Sequence, residues 1–208
     1  MDQAVPVPYD GRMNSMVHDT RLADRGRLSA ADWERAALEL IAEQGVGALN
    51  VEGLARSLGV TKGSFYWHFP SREALLDAAL KRWELDVERE LSTQVETAED
   101  PRQRLRELFR RIAHEVQPHR VYAALLRALD HAKIQALMAR VSQRRMDFLA
   151  LAYRQAGMER TAAAHRARLT YAAYVGFLQM NVHLGISRLN QADFDAYVEH
   201  VLDTLLGF

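Results

Sequence analysis

The chain of 208 residues contains no cysteine. That absence excludes disulfides, thiol nucleophiles and cysteine-ligated zinc or iron–sulfur sites. It also has no excess charge, since 27 basic residues cancel 27 acidic ones. A neutral total argues against indiscriminate coating of nucleic acid and leaves room for a local patch. No apolar run is long and clean enough to span a bilayer. The stretch from Leu169 to Ser187 has no Asp, Glu, Lys or Arg, but Gln179, Asn181 and His183 lie inside it, and Gly176 and Gly185 interrupt it. A spanning helix wants about 20 predominantly apolar residues, so this stretch reads as a helix buried on most sides. The start, Met1-Asp2-Gln3-Ala4-Val5-Pro6, has no basic region followed by an apolar run. No secretory leader is expected, and a cytoplasmic protein is the default.

Enzyme signatures are missing as well. Gly59-Val60-Thr61-Lys62-Gly63 lacks the spacing of a phosphate-binding loop, and neither Gly-x-Ser-x-Gly nor His-Glu-x-x-His occurs. His114, His119 and His131 have no spacing that matches a metal signature. No cofactor and no metal are expected.

What is present is an apolar content of 49% with a helical period. Ser29-Ala30-Ala31-Asp32 is a capping-box variant, followed by Trp33, Ala36, Ala37, Leu40 and Ile41 on one face, with Gly45 and Gly47 as a stop. Asn50 caps a second helix. Ser71 starts a long one, and Asp100-Pro101 marks another start. Pro118 ends that helix. A short helix over 121–129 follows, then long ones over 134–155 and 161–184, and a last one capped at Asn190. The fold class is all-α, with about nine helices and no convincing strand. Residues 1–28 read as a flexible extension or an arm reaching DNA through Arg21, Arg25 and Arg27, residues 29–76 as one domain and 77–208 as another.

The densest signal lies between Leu58 and Leu75. Gly59 suits a tight turn, Val60 can plug the gap between two helices, and Thr61 suits an N-cap. Phe65 and Phe69 share one face. The other faces carry Lys62, Gly63, Ser64, Tyr66, Trp67 and His68. A short helix exposing such groups is hard to justify as core, and easy to justify as a surface that reads DNA. Between Glu52 and Glu73 the only charges are Arg56, Lys62 and Arg72, so the patch is basic within a neutral chain.

Gly-Val-Thr-Lys-Gly-Ser-Phe-Tyr-Trp-His-Phe followed by Pro-Ser-Arg-Glu-Ala-Leu resembles the signature of TetR-type bacterial transcriptional regulators. The likeness covers about Ala30 to Leu80. It implies an N-terminal three-helix helix-turn-helix domain and a C-terminal helical bundle for ligand binding and dimerisation. It implies DNA contacts at Asn50, Val51, Glu52, Thr61, Lys62, Gly63, Ser64, Tyr66, Trp67, His68 and Arg72. Of these, Tyr66, His68 and Arg72 stand at phosphate-contacting positions, and Trp67 stands where a thymine methyl or a sugar is touched. Glu52 departs from the family pattern. It can accept from a cytosine amino group or simply complement a helix N-terminus.

The implied partners are a double-stranded operator, a second copy of the chain and a small-molecule effector, with no membrane. The resemblance places the dimer interface on the last two helices, and Tyr171, Val175, Leu184, Tyr197, Val201 and Leu205 are its candidates. Pocket candidates are Trp83, Phe109, His114, Tyr122, Leu126, Phe148, Tyr174, Phe177 and Leu178, with Leu125, Tyr153 and His183 beside them. Such a set looks like a ligand pocket and equally like an ordinary core. Seven arginines against two acids over 139–168, and four acids without a base over 189–208, suggest pairing between those surfaces. The expected function is a dimeric repressor released by its ligand. An activator, a constitutive architectural DNA-binder and an all-helical enzyme are the alternatives.

Overall fold

The computed structural model describes residues 28–93, 100–114, 116–184 and 189–207. Among these residues there are nine α-helices and no strand. The expected N-terminal extension lies outside the described residues, apart from Leu28. Three helices form the first unit: α1 (Ala30–Gln44), α2 (Val51–Ser57) and α3 (Lys62–Tyr66). The rest are α4 (Arg72–Thr93), α5 (Pro101–His114), α6 (Val116–Leu126), α7 (Ala132–Gln155), α8 (Arg160–Leu178) and α9 (Gln191–Leu206).

Local chemistry sets most boundaries. Ser29 and Asp32 close a reciprocal capping box on α1, with the Ser29 N–H donating to the Asp32 carboxylate at 2.8 Å. The Asn50 side chain accepts the Gly53 N–H at 2.6 Å, and Ser71 accepts that of Ala74 at 3.1 Å. Asp100 and Asn190 cap α5 and α9 in the same way, at 2.9 Å each. After α2 the Val60 N–H reaches the Ala55 carbonyl and the Gly59 N–H reaches that of Arg56. This pair of bonds needs a left-handed residue, and Gly59 supplies φ +68°.

Two boundaries differ from expectation. Pro118 does not end α5, which stops at His114. It sits in the first turn of α6, where a missing N–H has no helical partner to lose. The apolar run after Leu178 leaves the α-helix for a wider π turn, Gln179–His183. Its end is tied to α6, where His183 Nε2 donates to the Ala123 carbonyl at 2.9 Å.

One apolar core runs through both units. Trp33 and Ile41 of α1, Phe65 of α3, Leu75 and Leu76 of α4, and Leu125 of α6 are all fully enclosed within it. Helix α1 packs on both α4 and α6, and Arg82 of α4 reaches Glu34 of α1 at 3.1 Å. Helix α4 is thereby shared between the units.

Ion pairs fix the helices of the second unit in a specific pattern. Arg144 of α7 binds Glu84 at 2.5 Å and Glu88 at 2.6 Å on α4. Arg140 joins Glu84 at 3.3 Å, and Lys133 holds Asp77 at 2.7 Å. Two acids of α9 pair with α5: Arg106 meets Asp203 at 2.7 Å, and Arg110 meets Glu199 at 2.6 Å. Helix α5 packs beside α9 and supplies both guanidiniums.

Burial pushes the Glu84 carboxyl up, but Arg140 and Arg144 outweigh it and hold the group below its ordinary 4.5. A depressed pKa stabilises the fold above the unfolded value, and the gain disappears as the pH falls through the folded value. Glu84→Gln should therefore cost about 1–2 kcal/mol at neutral pH. In paired thermal melts, the gap between wild type and variant should close as the pH drops below 4.5.

Candidate nucleic-acid interface and interior cavity

The helix after Gly59 is anchored from behind by aromatic packing. Phe65 is fully buried and meets Trp33 edge-on at 5.4 Å, with Phe69 at 5.8 Å on its other side. With Phe65 fixed inward, the neighbouring positions must turn outward. Tyr66 is 54% exposed and Trp67 78% exposed, while Lys62 and Gly63 are open and Ser64 and His68 half-buried. An indole this exposed, beside a phenol and an ammonium, has the chemistry of a groove-reading surface. Trp67 and His68 lie in the turn that follows α3 rather than within it.

The flanking candidates divide by role. Asn50 caps α2 and also donates to the Ala48 carbonyl at 3.0 Å. Val51 packs against the core, and Glu52 is exposed at the α2 N-terminus. Thr61 holds the N-cap position of α3, but its hydroxyl makes no capping bond. Arg72 departs most from expectation. Its Nε donates to the Leu49 carbonyl at 2.6 Å, Nη2 to that of Val46 at 3.2 Å, and Nη1 to Glu73 at 2.5 Å. The guanidinium thus staples the α1–α2 connection to α4, which makes Arg72 a positioning residue.

Residues 35–79 match the family model for bacterial regulatory proteins of the tetR family. The chain is 52% identical over 44 residues to the tetracycline repressor protein class A from transposon 1721 of Escherichia coli, a match spanning 21% of this chain and 20% of that protein. It is 35% identical over 74 residues to the HTH-type transcriptional regulator AcrR of Shigella flexneri, spanning 35% of this chain and 34% of the relative. The chain thus aligns with no more than about a third of these curated relatives. In fold it resembles a TetR transcriptional regulator from Legionella pneumophila, with TM-score 0.71, 16% identity, and coverage of 87% of this chain and 98% of that one. The sequence likeness to tetR-family regulatory proteins thus lies in residues 35–79, and the rest of the chain shares the fold of the solved regulator.

Beyond its helix-turn-helix, the chain has a half-open cavity of about 180 Å³ lined by α5, α7, α8 and α9, with His119 of α6 among its lining residues. Five of the nine expected pocket residues line it: Phe109, Phe148, Tyr174, Phe177 and Leu178. Four do not. Trp83 packs against Tyr122 at 6.2 Å, and both are buried in the core between α4 and α6. Leu126 lies against the core. His114 points outward, edge-on to Phe194 at 5.6 Å and 3.8 Å from Asp195.

Sequence reading missed Arg145 and Thr170 in the cavity wall, because period alone does not tell which arginine of a basic helix turns inward. Arg145 lies over the Tyr122 ring at 4.8 Å and the Tyr174 ring at 5.7 Å. Its Nη1 is 3.5 Å from the Tyr174 hydroxyl, and that hydroxyl is 2.7 Å from His119 Nδ1. His119 Nε2 donates to the Ile112 carbonyl at 2.5 Å. Tyr122 is hydrogen-bonded to Tyr171, which donates to Ser142 at 2.7 Å. Burial, with the Tyr171 hydroxyl beside it, pushes the Tyr122 phenol far above the usual range. Burial likewise raises Tyr153, whose hydroxyl is 2.7 Å from that of Thr170.

Of the expected dimer contacts, Tyr171 and Leu205 are buried within the protomer, and both line the cavity along with Val201 and Tyr197. Val175 packs on the core. Leu184 is open to solvent. The outward apolar stripe of α8 and its π turn consists instead of Leu169, Ala172, Gly176 and Met180, spaced by three and four.

The two roles of this region separate by mutation. Phe65→Ala should cost about 3–5 kcal/mol in chemical denaturation, because it empties a sealed site. Arg72→Met should lower the melting temperature by roughly 2–8 °C through loss of two carbonyl staples, whereas a purely phosphate-binding arginine would leave the melt unchanged.

Proposed function

We propose that this chain is a sequence-specific DNA-binding transcriptional regulator, a dimeric repressor that leaves its operator when a small molecule fills the cavity of the second unit. The observation that carries the reading is the outward display of Tyr66 and Trp67 over a sealed Phe65. The likeness of residues 35–79 to tetR-family regulatory proteins supports the DNA-binding part.

One short helix offers few contacts, and two-fold pairing doubles them and reads a palindrome. The stripe of Leu169, Ala172, Gly176 and Met180 suits a self-complementary helix pair, since its two small residues permit close approach. Release is a population shift, limited by the effector's differential affinity for the two states. Two contacts can transmit it. Helix α7 carries Arg145 in the cavity wall and Arg144 in the clasp with α4. Helix α6 carries His119 at the cavity and packs on α1.

Fluorescence anisotropy with duplexes from the DNA upstream of the gene tests the reading. Trp67→Ala should weaken specific binding by on the order of tenfold or more with an unchanged melting temperature. Lys62→Ala should flatten the salt dependence by about two counterions per dimer, one for each protomer. Specific binding that survives Trp67→Ala unchanged would refute the interface. Transcription of the neighbouring genes, measured with and without the protein, separates a repressor from an activator. Separately, Leu169→Glu should convert a dimer to a monomer in analytical ultracentrifugation, because it places facing charges in the stripe. A monomeric wild type at micromolar concentration would refute the dimer.

A further inference from the structure

The charge balance of the second unit points to the chemistry of its ligand. Its other structurally engaged cations meet an anion or a carbonyl. Arg140 and Arg144 have Glu84 and Glu88, Arg106 and Arg110 have Glu199 and Asp203, and Arg166 donates to the Leu205 carbonyl at 2.7 Å. Arg145 is different. Among the described residues it has no carboxylate within 4.0 Å, and its neighbours are two aromatic faces and one hydroxyl. The phenol of Tyr122 stays neutral and gives it no counter-charge. A half-buried guanidinium in a mostly apolar wall with no carboxylate beside it favours an anion that arrives with the ligand.

The surrounding hydrogen bonds fix how that cation is presented. With His119 Nε2 donating to Ile112, Nδ1 accepts the Tyr174 proton, and the Tyr174 oxygen is left to accept from Arg145. The relay holds one edge of the guanidinium and leaves further N–H donors for a planar two-oxygen acceptor. The body of the ligand is defined by Phe109, Phe148 and Phe177 in the same wall. A volume of about 180 Å³ is slightly larger than the roughly 150 Å³ that admits a benzene ring.

We propose that the cavity selects a small aryl carboxylate, with the ring among the phenylalanines and the carboxylate paired with Arg145. This rests on the reading of the cavity as the effector site. It narrows that reading from an unspecified small molecule to a hydrophobic monoanion.

Calorimetric titration of the full chain with phenylacetate and 3-phenylpropionate, against their uncharged amides, tests the proposal. Wild type should bind the acids on the order of tenfold to a hundredfold more tightly than the amides. Arg145→Met should erase that preference, and Arg145→Lys should keep part of it. Acid and amide binding equally well to wild type would overturn the anion proposal and leave the effector cavity standing. A preference that persists in a folded Arg145→Met would also overturn it. Acids that bind preferentially without altering affinity for duplex would support the proposal and refute release by this site. No binding of any aromatic, charged or neutral, would overturn both. The wild-type comparison requires no variant, so it decides the matter even where a variant fails to fold.

Discussion

Phe65 is enclosed between Trp33 and Phe69, and the geometry of the first unit follows from that contact. A five-residue helix has almost no stability of its own. Its orientation comes from the side chain it buries. Once Phe65 is committed inward, the next two residues point away from the core, and their exposure follows from helical geometry. Gly59 sets the direction of approach through its left-handed turn, and Arg72 ties the preceding connection to α4. These three residues touch no DNA in the proposed scheme, yet they determine which side chains can.

The second unit is organised by charge as well as by apolar packing. Its acids and bases couple α4 to α7 and α5 to α9. Each pair is partly exposed and individually modest, but together they set which helices are neighbours. Arg145 stands outside this scheme. It follows Arg144 directly in sequence, so one arginine clasps the helix shared with the first unit while the next faces the cavity. A change at one side chain is thus only one residue from the contact that would transmit it.

Local chemistry was legible from sequence where it is self-contained. The caps at Ser29, Asn50, Asp100 and Asn190 need only their own turn, and each forms as its residue type dictates. The inward Phe65 and Phe69 followed from a spacing of four. What sequence did not disclose depends on partners distant in the chain. The charge-free run of α8 has no polar face to show which side turns inward, so Tyr171 read as interface and proved to be cavity wall. Within the protomer, Glu199 and Asp203 of α9 meet Arg106 and Arg110, an arrangement that depends on how α5 packs beside α9. The stapling role of Arg72 was not legible, because neither carbonyl it binds can be placed without the fold.

The chain holds three tryptophans, and they differ in a way that isolates the proposed interface. Trp33 is 0% and Trp83 5% exposed, against 78% for Trp67. Acrylamide should therefore quench one class of emission strongly and spare the rest. Titration with a specific duplex should protect that class, and Trp67→Phe should abolish both the quenching and its protection. Trp67 emission that stays equally accessible to acrylamide with the specific duplex fully bound would contradict the account.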